Sequence, residues 1–409
     1  MLTLIPLAWR NMWRNWRRTA IAATAIVLGL ILLIFMDALI QGSDQAIFGN
    51  AVRLYGGNIQ VHAVGYRDRA SRLPLLPVED VDVVIRAAQE RPEVVSASKR
   101  INTGGMVSSR VGTYPVVITG IEPSVEAPYS LVAESISEGR FLDAADENTI
   151  VIGRGLADLL GVEVGERVNL LGRRRNETMR QRTMTVVGVY DLGLAEAEKG
   201  TVFVNLADAQ TLYNLRDQQT EVAISLDRVG QEQAVIEGLR AELPGYEVDS
   251  WETLRPEIRD TLAVKSMVTN AFGLIVLLIA SIGILNLMLM AVFERTREMG
   301  VLSALGMKNR QVMALFLLEG TFIGVVGAVS GCLLGWALVW AVGQVGINIA
   351  GASQMGDITA LMGDRLYPVI GASDVIVRGI AVVIIAALAS LFPAWQASRG
   401  EPAAALHYI

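Results

Sequence analysis

Four long runs without a charged residue constrain the fold of this chain more than any other feature. The runs are Ala20–Met36, Ser266–Phe293, Gly320–Gly356 and Gly379–Ser398. As helices rising 1.5 Å per residue, they are long enough to cross roughly 30 Å of hydrocarbon. A buried helix of a soluble protein explains an apolar run of about a dozen residues, but not four runs of this length. The sequence therefore predicts a membrane protein with four transmembrane helices.

The basic residues beside these runs predict the orientation of the chain. Lys and Arg near helix ends are retained on the cytoplasmic side of a membrane. The basic residues at the ends that we assign to the cytoplasm are Arg10, Arg14, Arg17, Arg18, Arg295, Arg297, Lys308, Arg310 and Arg399. The short loop on the other side contains only Arg365 and Arg378, beside three aspartates. We therefore expect both termini in the cytoplasm and the long segment 43–265 outside it.

The segment 43–265 has the composition of a soluble domain. It contains 33 acidic and 24 basic residues, a net charge of −9, so nucleic acid is not an expected partner. Strand–helix–strand patterns occur near both of its ends, at 58–98 and 221–251. A Val-rich, Gly-punctuated stretch between them alternates as strands do, which favours a β-rich insertion at about 130–210. The predicted fold class is four membrane helices plus an extracytoplasmic α+β domain.

These patterns give the following predicted division of the chain. Residues 1–18, where tryptophans alternate with arginines, form either an interfacial amphipathic helix, which we favour, or a simple basic flank. The remaining segments are transmembrane helix 19–42, α+β domain 43–265, transmembrane helix 266–293, cytoplasmic connection 294–311, transmembrane helix 312–343, outer loop 344–373, transmembrane helix 374–397 and cytoplasmic tail 398–409.

Small residues recur at four-residue spacing in the third span. Such rows allow helix backbones to approach closely in lipid, although glycine is common in transmembrane helices in general. The glycines of the two adjacent rows are Gly320, Gly324, Gly327, Gly331 and Gly335. We predict that they form a tight helix-packing surface.

Two carboxylates, Asp37 and Glu319, lie in or beside the spans. Charges within a membrane are costly and indicate function unless they are paired. Both residues are close to an interface, so pairing with a neighbouring arginine is the simpler interpretation, and a role in gating is the alternative. A proton-coupled transporter would place several such groups at the membrane midplane, and this sequence lacks that pattern.

The sequence lacks the motifs of ATP and metal chemistry. It contains no G-x-x-x-x-G-K-[ST] phosphate loop and no cluster of cysteine and histidine residues. We therefore expect no ATP hydrolysis and no metal or other cofactor in this chain.

The cytoplasmic connection reads as a short amphipathic helix. Helical spacing places Met299, Leu302 and Leu305 near one another, with charged residues on the remaining face. Such a helix can lie on lipid or dock into a groove on a partner protein, and periodicity alone leaves both possibilities open.

The same connection resembles the cytoplasmic signature of the FtsX-like, MacB-type permease superfamily of ABC transporters. The match extends through residues 294–306, ERTREMGVLSALG. The segments 138–141, 151–157 and 160–166 resemble the MacB-type periplasmic core, and 393–406 resembles the family's C-terminal ending. The segments 9–11, 17–19 and 57–62 are similar to the LolC/LolE-like branch of lipoprotein-releasing permeases.

The resemblance implies two permeases, as a homodimer or a LolC/LolE-like heterodimer, above two copies of a separate ATPase that binds ATP and Mg. It also implies a bacterial inner membrane location, with the large domain in the periplasm, and contact with membrane lipid and a lipoprotein or adaptor. The expected function is lipoprotein or amphiphile release by mechanotransmission, and the alternative is mechanical signalling to an extracytoplasmic enzyme. The implied ATPase-coupling residues are Arg295, Arg297, Glu298, Met299, Gly300, Leu302, Leu305 and Gly306.

Overall fold

The structure is a computed structural model that describes residues 4–14, 16–173, 178–228, 230–254, 256–295, 298, 301, 307–349 and 361–398. The chain forms two compact units. The membrane unit contains residues 1–43, 262–347 and 366–409, and the α+β unit contains residues 44–261 and 348–365.

The described helices and strands are numbered in chain order. The helices are α1 (Leu4–Arg14), α2 (Trp16–Tyr55), α3 (Val81–Gln89), α4 (Pro123–Glu126), α5 (Leu131–Glu134), α6 (Arg154–Leu160), α7 (Ala195–Gly200), α8 (Leu206–Tyr213), α9 (Glu232–Glu242), α10 (Trp251–Leu254), α11 (Pro256–Glu294), α12 (Asn309–Val345) and α13 (Ala372–Ser398). The strands are β1 (Ile59–Ala63), β2 (Val94–Ser108), β3 (Thr113–Ile121), β4 (Ile136–Gly139), β5 (Thr149–Gly153), β6 (Arg167–Gly172), β7 (Arg180–Tyr190), β8 (Thr201–Asn205), β9 (Glu221–Leu226), β10 (Tyr246–Ser250), β11 (Ile347–Asn348) and β12 (Arg365–Leu366).

Four of the described helices are long and apolar enough to span a membrane. Their candidate spans are Thr19–Tyr55, Ala263–Glu294, Asn309–Val345 and Ala372–Ser398. The uncharged runs of the sequence lie within or overlap these helices, because only a helix satisfies all backbone groups of a single segment in hydrocarbon. The predicted number of transmembrane helices is therefore confirmed.

The interior of the membrane unit is built around α12. Apolar side chains of α2, α11 and α13 and those of Ile323, Ala328 and Val339 on α12 belong to one buried cluster. In α11, by contrast, the described buried apolar side chains are Ile284, Met288 and Val292, all in its C-terminal half. Helix α11 therefore packs against the rest of this unit mainly through that half.

The α+β unit contains a ten-stranded mixed sheet with the order β10-β1-β9-β2-β3-β8-β5-β7-β4, and β6 pairs with both β2 and β7. The long strand β2 joins two halves, because its residues 94–100 pair with β9 and its residues 101–108 pair with β3. The first half contains the two strand–helix–strand units predicted from the sequence, which form one antiparallel sheet, β10-β1-β9-β2. The α+β fold class is confirmed.

Each half of the sheet has its own core. Aliphatic residues of β1, β9 and β10 pack with those of α3 and α9, and those of β2, β3 and β5–β8 pack with α6 and α8. In the second half, a Cβ atom on Gly153 would lie 2.3 Å from the carbonyl oxygen of Glu198. Only glycine allows the backbones to approach this closely, which explains the first glycine of the 151–157 motif, Gly153.

Candidate functional site

The connection between α11 and α12 begins with a buried ion pair in the membrane unit. Nη1 of Arg295, which follows α11, lies 3.1 Å from both carboxylate oxygens of Glu319 on α12. The two side chains are only 8% and 6% exposed. Removing either charge would leave the other buried and uncompensated, at a cost of about 3–5 kcal/mol. The ion pair therefore ties the start of the connection to α12.

Helix α1 contributes a third group to this pair. Nδ2 of Asn11 donates a 2.7 Å hydrogen bond to Oε1 of Glu319, and Nη2 of Arg295 donates a 3.4 Å bond to the backbone oxygen of Asn11. The backbone places Asn11 beside the cluster because Leu4, Ala8 and Met12 are buried. Together, Asn11, Arg295 and Glu319 form what we term the inner cluster, which links α1, α12 and the connection.

The predicted ATPase-coupling residues are only partly described. Arg295 is buried in the inner cluster, whereas Glu298 is exposed and accepts a 2.6 Å hydrogen bond from Arg14 of α1. The remaining coupling residues lie outside the described residues: Arg297, Met299, Gly300, Leu302, Leu305 and Gly306. Their contact with an ATPase stays a prediction.

Asp37, the other predicted gating carboxylate, also has an arginine partner. Nε of Arg378 on α13 donates a 2.7 Å hydrogen bond to Oδ2 of Asp37 on α2, and Nη2 of Arg378 lies 3.3 Å from the side-chain oxygen of Asn270 on α11. Arg378 therefore joins its own helix, α13, to α2 through Asp37 and to α11 through Asn270. Both carboxylates, Asp37 and Glu319, have an arginine within hydrogen-bonding distance, which is the geometry expected if they are paired charges.

The first glycine row of α12 faces α13. A Cβ atom on Gly320 would lie 2.5 Å from Cβ of Ser390, and one on Gly324 would lie 2.5 Å from Cβ of Ala386. Real Cβ atoms do not approach this closely, so the α12 and α13 backbones meet at a separation that only glycine permits.

The second glycine row faces α2. The side chains that lie over Gly327, Gly331 and Gly335 are those of Ile26, Leu30 and Ile34, respectively. A Cβ atom at these glycines would lie 2.7, 3.0 and 3.0 Å from the nearest side-chain carbon. The two rows therefore hold α12 against two different helices at once.

The α+β unit contains a polar cleft of about 290 Å³. Its floor includes Arg100, whose guanidinium donates hydrogen bonds of 2.6 and 2.5 Å to Glu126. Ser98 donates a further bond of 2.9 Å to the same carboxylate. The charges on this floor are therefore already neutralised within the chain. Among the described residues, no group of three or more His, Cys, Asp or Glu could hold a metal ion.

Sequence reasoning did not identify two residues of these clusters. In the sequence, Asn11 belongs only to a family-like motif, and Arg378 is only a charge that flanks a span. A polar residue on the buried side of an amphipathic helix could have indicated Asn11. No local pattern pairs Arg378 with Asp37, since 341 positions separate them.

The membrane helices and the ten-stranded unit match two family models. The FtsX-like permease C-terminal model matches residues 270–402, and the MacB-like periplasmic core domain model matches residues 19–242, more than half of the chain. The chain belongs to the FtsX-like permeases with a MacB-like periplasmic core domain. The resemblance inferred from residues 138–166 and 294–306 is thereby confirmed.

Full-length relatives of this FtsX-like permease include lipoprotein-releasing proteins. LolC, the lipoprotein-releasing system transmembrane protein of Xylella fastidiosa, is 27% identical over 94% of this chain and 92% of its own length. LolC of Neisseria meningitidis is 24% identical over 95% and 94% of the two chains. The pyoverdine export ATP-binding/permease protein PvdT of Pseudomonas syringae is 25% identical over 99% of this chain but only 59% of its own length.

Among solved structures, the periplasmic region of MacB from Actinobacillus actinomycetemcomitans aligns over 50% of this chain and 94% of its own, at 14% identity and a TM-score of 0.35. The family membership by itself confirms the predicted function at the level of a membrane-spanning ABC transporter permease subunit.

Proposed function

We propose that this permease couples ATP hydrolysis by a separate ATPase to lipoprotein or amphiphile release at the extracytoplasmic face of a bacterial inner membrane. The observation that best supports this proposal is the buried ion pair between Arg295 and Glu319. It fastens the start of the family's cytoplasmic signature to a membrane helix. A displacement of the docked segment therefore moves α12 unless a buried charge pair breaks.

The packing of α12 extends this displacement to other helices. Its glycine rows hold it against α2 and α13, and Asn11 links the inner cluster to α1. Because interiors packed this closely resist deformation, these four helices respond as one body. In this mechanism, closure of two ATPase subunits below the membrane moves that body in each of two permeases, and the α+β unit performs the extracytoplasmic work.

The substrate class is proposed from the relatives. LolC proteins belong to lipoprotein-releasing systems, and the match covers nearly the whole of both chains. PvdT exports pyoverdine, so related permeases act on more than one cargo. The arginines that flank the spans favour cytoplasmic termini and a periplasmic α+β unit. ATP and Mg are bound by the ATPase, and the permease alone hydrolyses no ATP.

The test is reconstitution of the permease with its ATPase in proteoliposomes that contain a fluorescent acylated lipoprotein. ATP should release the lipoprotein from the bilayer, and a non-hydrolysable analogue should not. Leu302→Asp should abolish ATPase recruitment, because it places a charge in an apolar docking contact. Lys308→Ala in the same connection, the matched control, should retain recruitment and release.

Two outcomes would count against the proposal. Full assembly and release by Leu302→Asp would show that the connection does not dock through that residue. Normal ATP turnover without any release, accompanied by activation of a bound extracytoplasmic hydrolase, would instead support the signalling function.

A further inference from the structure

Helix α1 presents three parallel rows of side chains. Residues four positions apart lie on one face of a helix, and Leu4, Ala8 and Met12 form the buried row. The neighbouring row is apolar yet exposed: Ile5, Trp9 and Trp13 are 46%, 45% and 58% exposed. The next row carries the exposed arginines Arg10 and Arg14. Among the described residues of this unit, an apolar row that is about half exposed therefore lies directly beside a basic row.

The edge of the apolar row contacts a transmembrane helix. The Trp9 ring meets the Phe322 ring of α12 edge to face, with 5.8 Å between centroids. Trp13 packs edge to face on Trp9 at 6.0 Å. Tryptophan prefers the boundary between hydrocarbon and headgroups. The exposed row is therefore packed against a transmembrane helix at Trp9, and its tryptophans are the side chains typical of a membrane interface.

The charges within the sequence segment 1–36, which includes α1, are of one sign. No acidic residue precedes Asp37 in the sequence, whereas Arg10, Arg14, Arg17 and Arg18 fall within the first 18 residues. An acidic surface complements this charge, and the neighbouring tryptophans require that surface to have an apolar layer beneath it. A bilayer with anionic headgroups meets both requirements.

We propose that the exposed apolar and basic rows of α1 bind anionic phospholipid, and that this binding sets the position of the inner cluster. The link is direct: Asn11 donates to Glu319, and Arg14 pairs with Glu298. Anionic lipid thereby regulates coupling between the cytoplasmic connection and the membrane helices. The regulatory part of this inference rests on the proposed function, whereas the lipid-binding part does not.

The binding test uses the full chain in bilayers, with Cys332→Ser, Ile5→Cys and a bimane label at position 5. Brominated tails, which quench bimane on contact, are placed either on the phosphatidylglycerol or on the phosphatidylcholine of an otherwise identical mixture. We expect at least threefold stronger quenching by brominated phosphatidylglycerol. Arg10→Gln with Arg17→Gln, which removes one arginine of the basic row and one exposed arginine at the start of α2, should remove this preference. Each arginine strengthens binding to an anionic surface on the order of fivefold.

The matched control is Arg69→Gln with Arg72→Gln, which makes the same charge change at exposed positions of the α+β unit. This control should leave the preference unchanged. Equal quenching by the two lipids would overturn the proposal. So would loss of quenching when the ATPase is added, since α1 would then dock on the ATPase.

The regulatory test is the ATP turnover of the reconstituted complex as the phosphatidylglycerol fraction increases. Turnover should increase with that fraction for the parent chain and stay flat for the Arg10 and Arg17 double variant. Parallel responses of both chains would overturn the regulatory link. If no ATPase is recruited at all, the proposed function fails, and the quenching result still decides lipid binding.

Discussion

Gly324→Ala should separate α12 from α13, because the added methyl has no room. Its Cβ atom would lie 2.5 Å from Cβ of Ala386, about 1 Å closer than the 3.5–4.0 Å optimum for two carbons. Both atoms are fixed to helix backbones, so no side-chain rotation relieves the overlap. Overpacking of this kind costs about 1–3 kcal/mol. We expect a loss of that size in the free energy of unfolding.

The same geometry predicts a rescue. Ala386→Gly removes the atom that the new methyl meets, so the double variant Gly324→Ala/Ala386→Gly exchanges the two residues across the interface. Its stability should return to within about 1 kcal/mol of the parent. The cycle of the four proteins should show a favourable coupling energy within the 0.5–3 kcal/mol range of contacting residues.

The assay is reversible unfolding in mixed micelles, followed by circular dichroism, with Gly29→Ala as the matched control. Gly29 also lies in a transmembrane helix, but a Cβ atom there would meet nothing within 4 Å. This control should be neutral or stabilising, because alanine favours helix over glycine. A cost below about 0.5 kcal/mol for Gly324→Ala, or no rescue by Ala386→Gly, would refute the close-packing argument.

Three further predictions follow from described contacts. Glu319→Gln should destabilise the membrane unit by about 3–5 kcal/mol in the same unfolding assay, because it leaves Arg295 buried without a counter-charge. Arg140 lowers the pKa of Asp146 below its ordinary value, and the largest cause is the hydrogen bond that the Arg140 side chain donates to the Asp146 carboxylate. The ion pair between Arg140 and Asp146 therefore stabilises the folded protein above the ordinary aspartate pKa, and this stabilisation is lost as the pH falls through the lowered pKa of Asp146. Asp146→Asn should cost up to about 1 kcal/mol at pH 7 and progressively less in acid-unfolding measurements. Finally, a cysteine at Lys308 should resist membrane-impermeant maleimide in intact cells, while one at Arg110 should react, and labelling at position 308 would contradict the orientation.

The sequence could predict that the glycines of α12 form a packing surface, because spacing by four residues is a local property of one helix. It could not assign the partner of each row. That assignment depends on where Ile26 and Ala386 lie along other helices, and apolar helices in lipid offer many similar faces. Uncharged runs and local strand and helix patterns therefore predicted the number of helices and the α+β class, while the pairing of faces required the tertiary structure.

Paired charges show the same limit. The sequence placed Asp37 and Glu319 near interfaces and favoured arginine partners, but proximity along the chain suggested none in particular. Arg295 is 24 positions from Glu319, and Arg378 is 341 positions from Asp37. Pairs separated by this many positions form only when the helices pack together. Neither the 3.6-residue helical period nor the charge pattern of one segment can therefore predict them.

Arg295 shows how a correct motif can still leave a residue's role open. In an amphipathic segment, a charged residue is expected on the polar face, and the family resemblance implied that Arg295 is one of the coupling residues. In the membrane unit its side chain lies beside Glu319 and Asn11 and is almost entirely buried. A residue so placed joins the connection to the helices, so in the proposed function the ATPase binds through other positions. In the proposed mechanism, docking and transmission are therefore separate steps within a single short segment, and Glu319→Gln and Leu302→Asp probe the two steps independently.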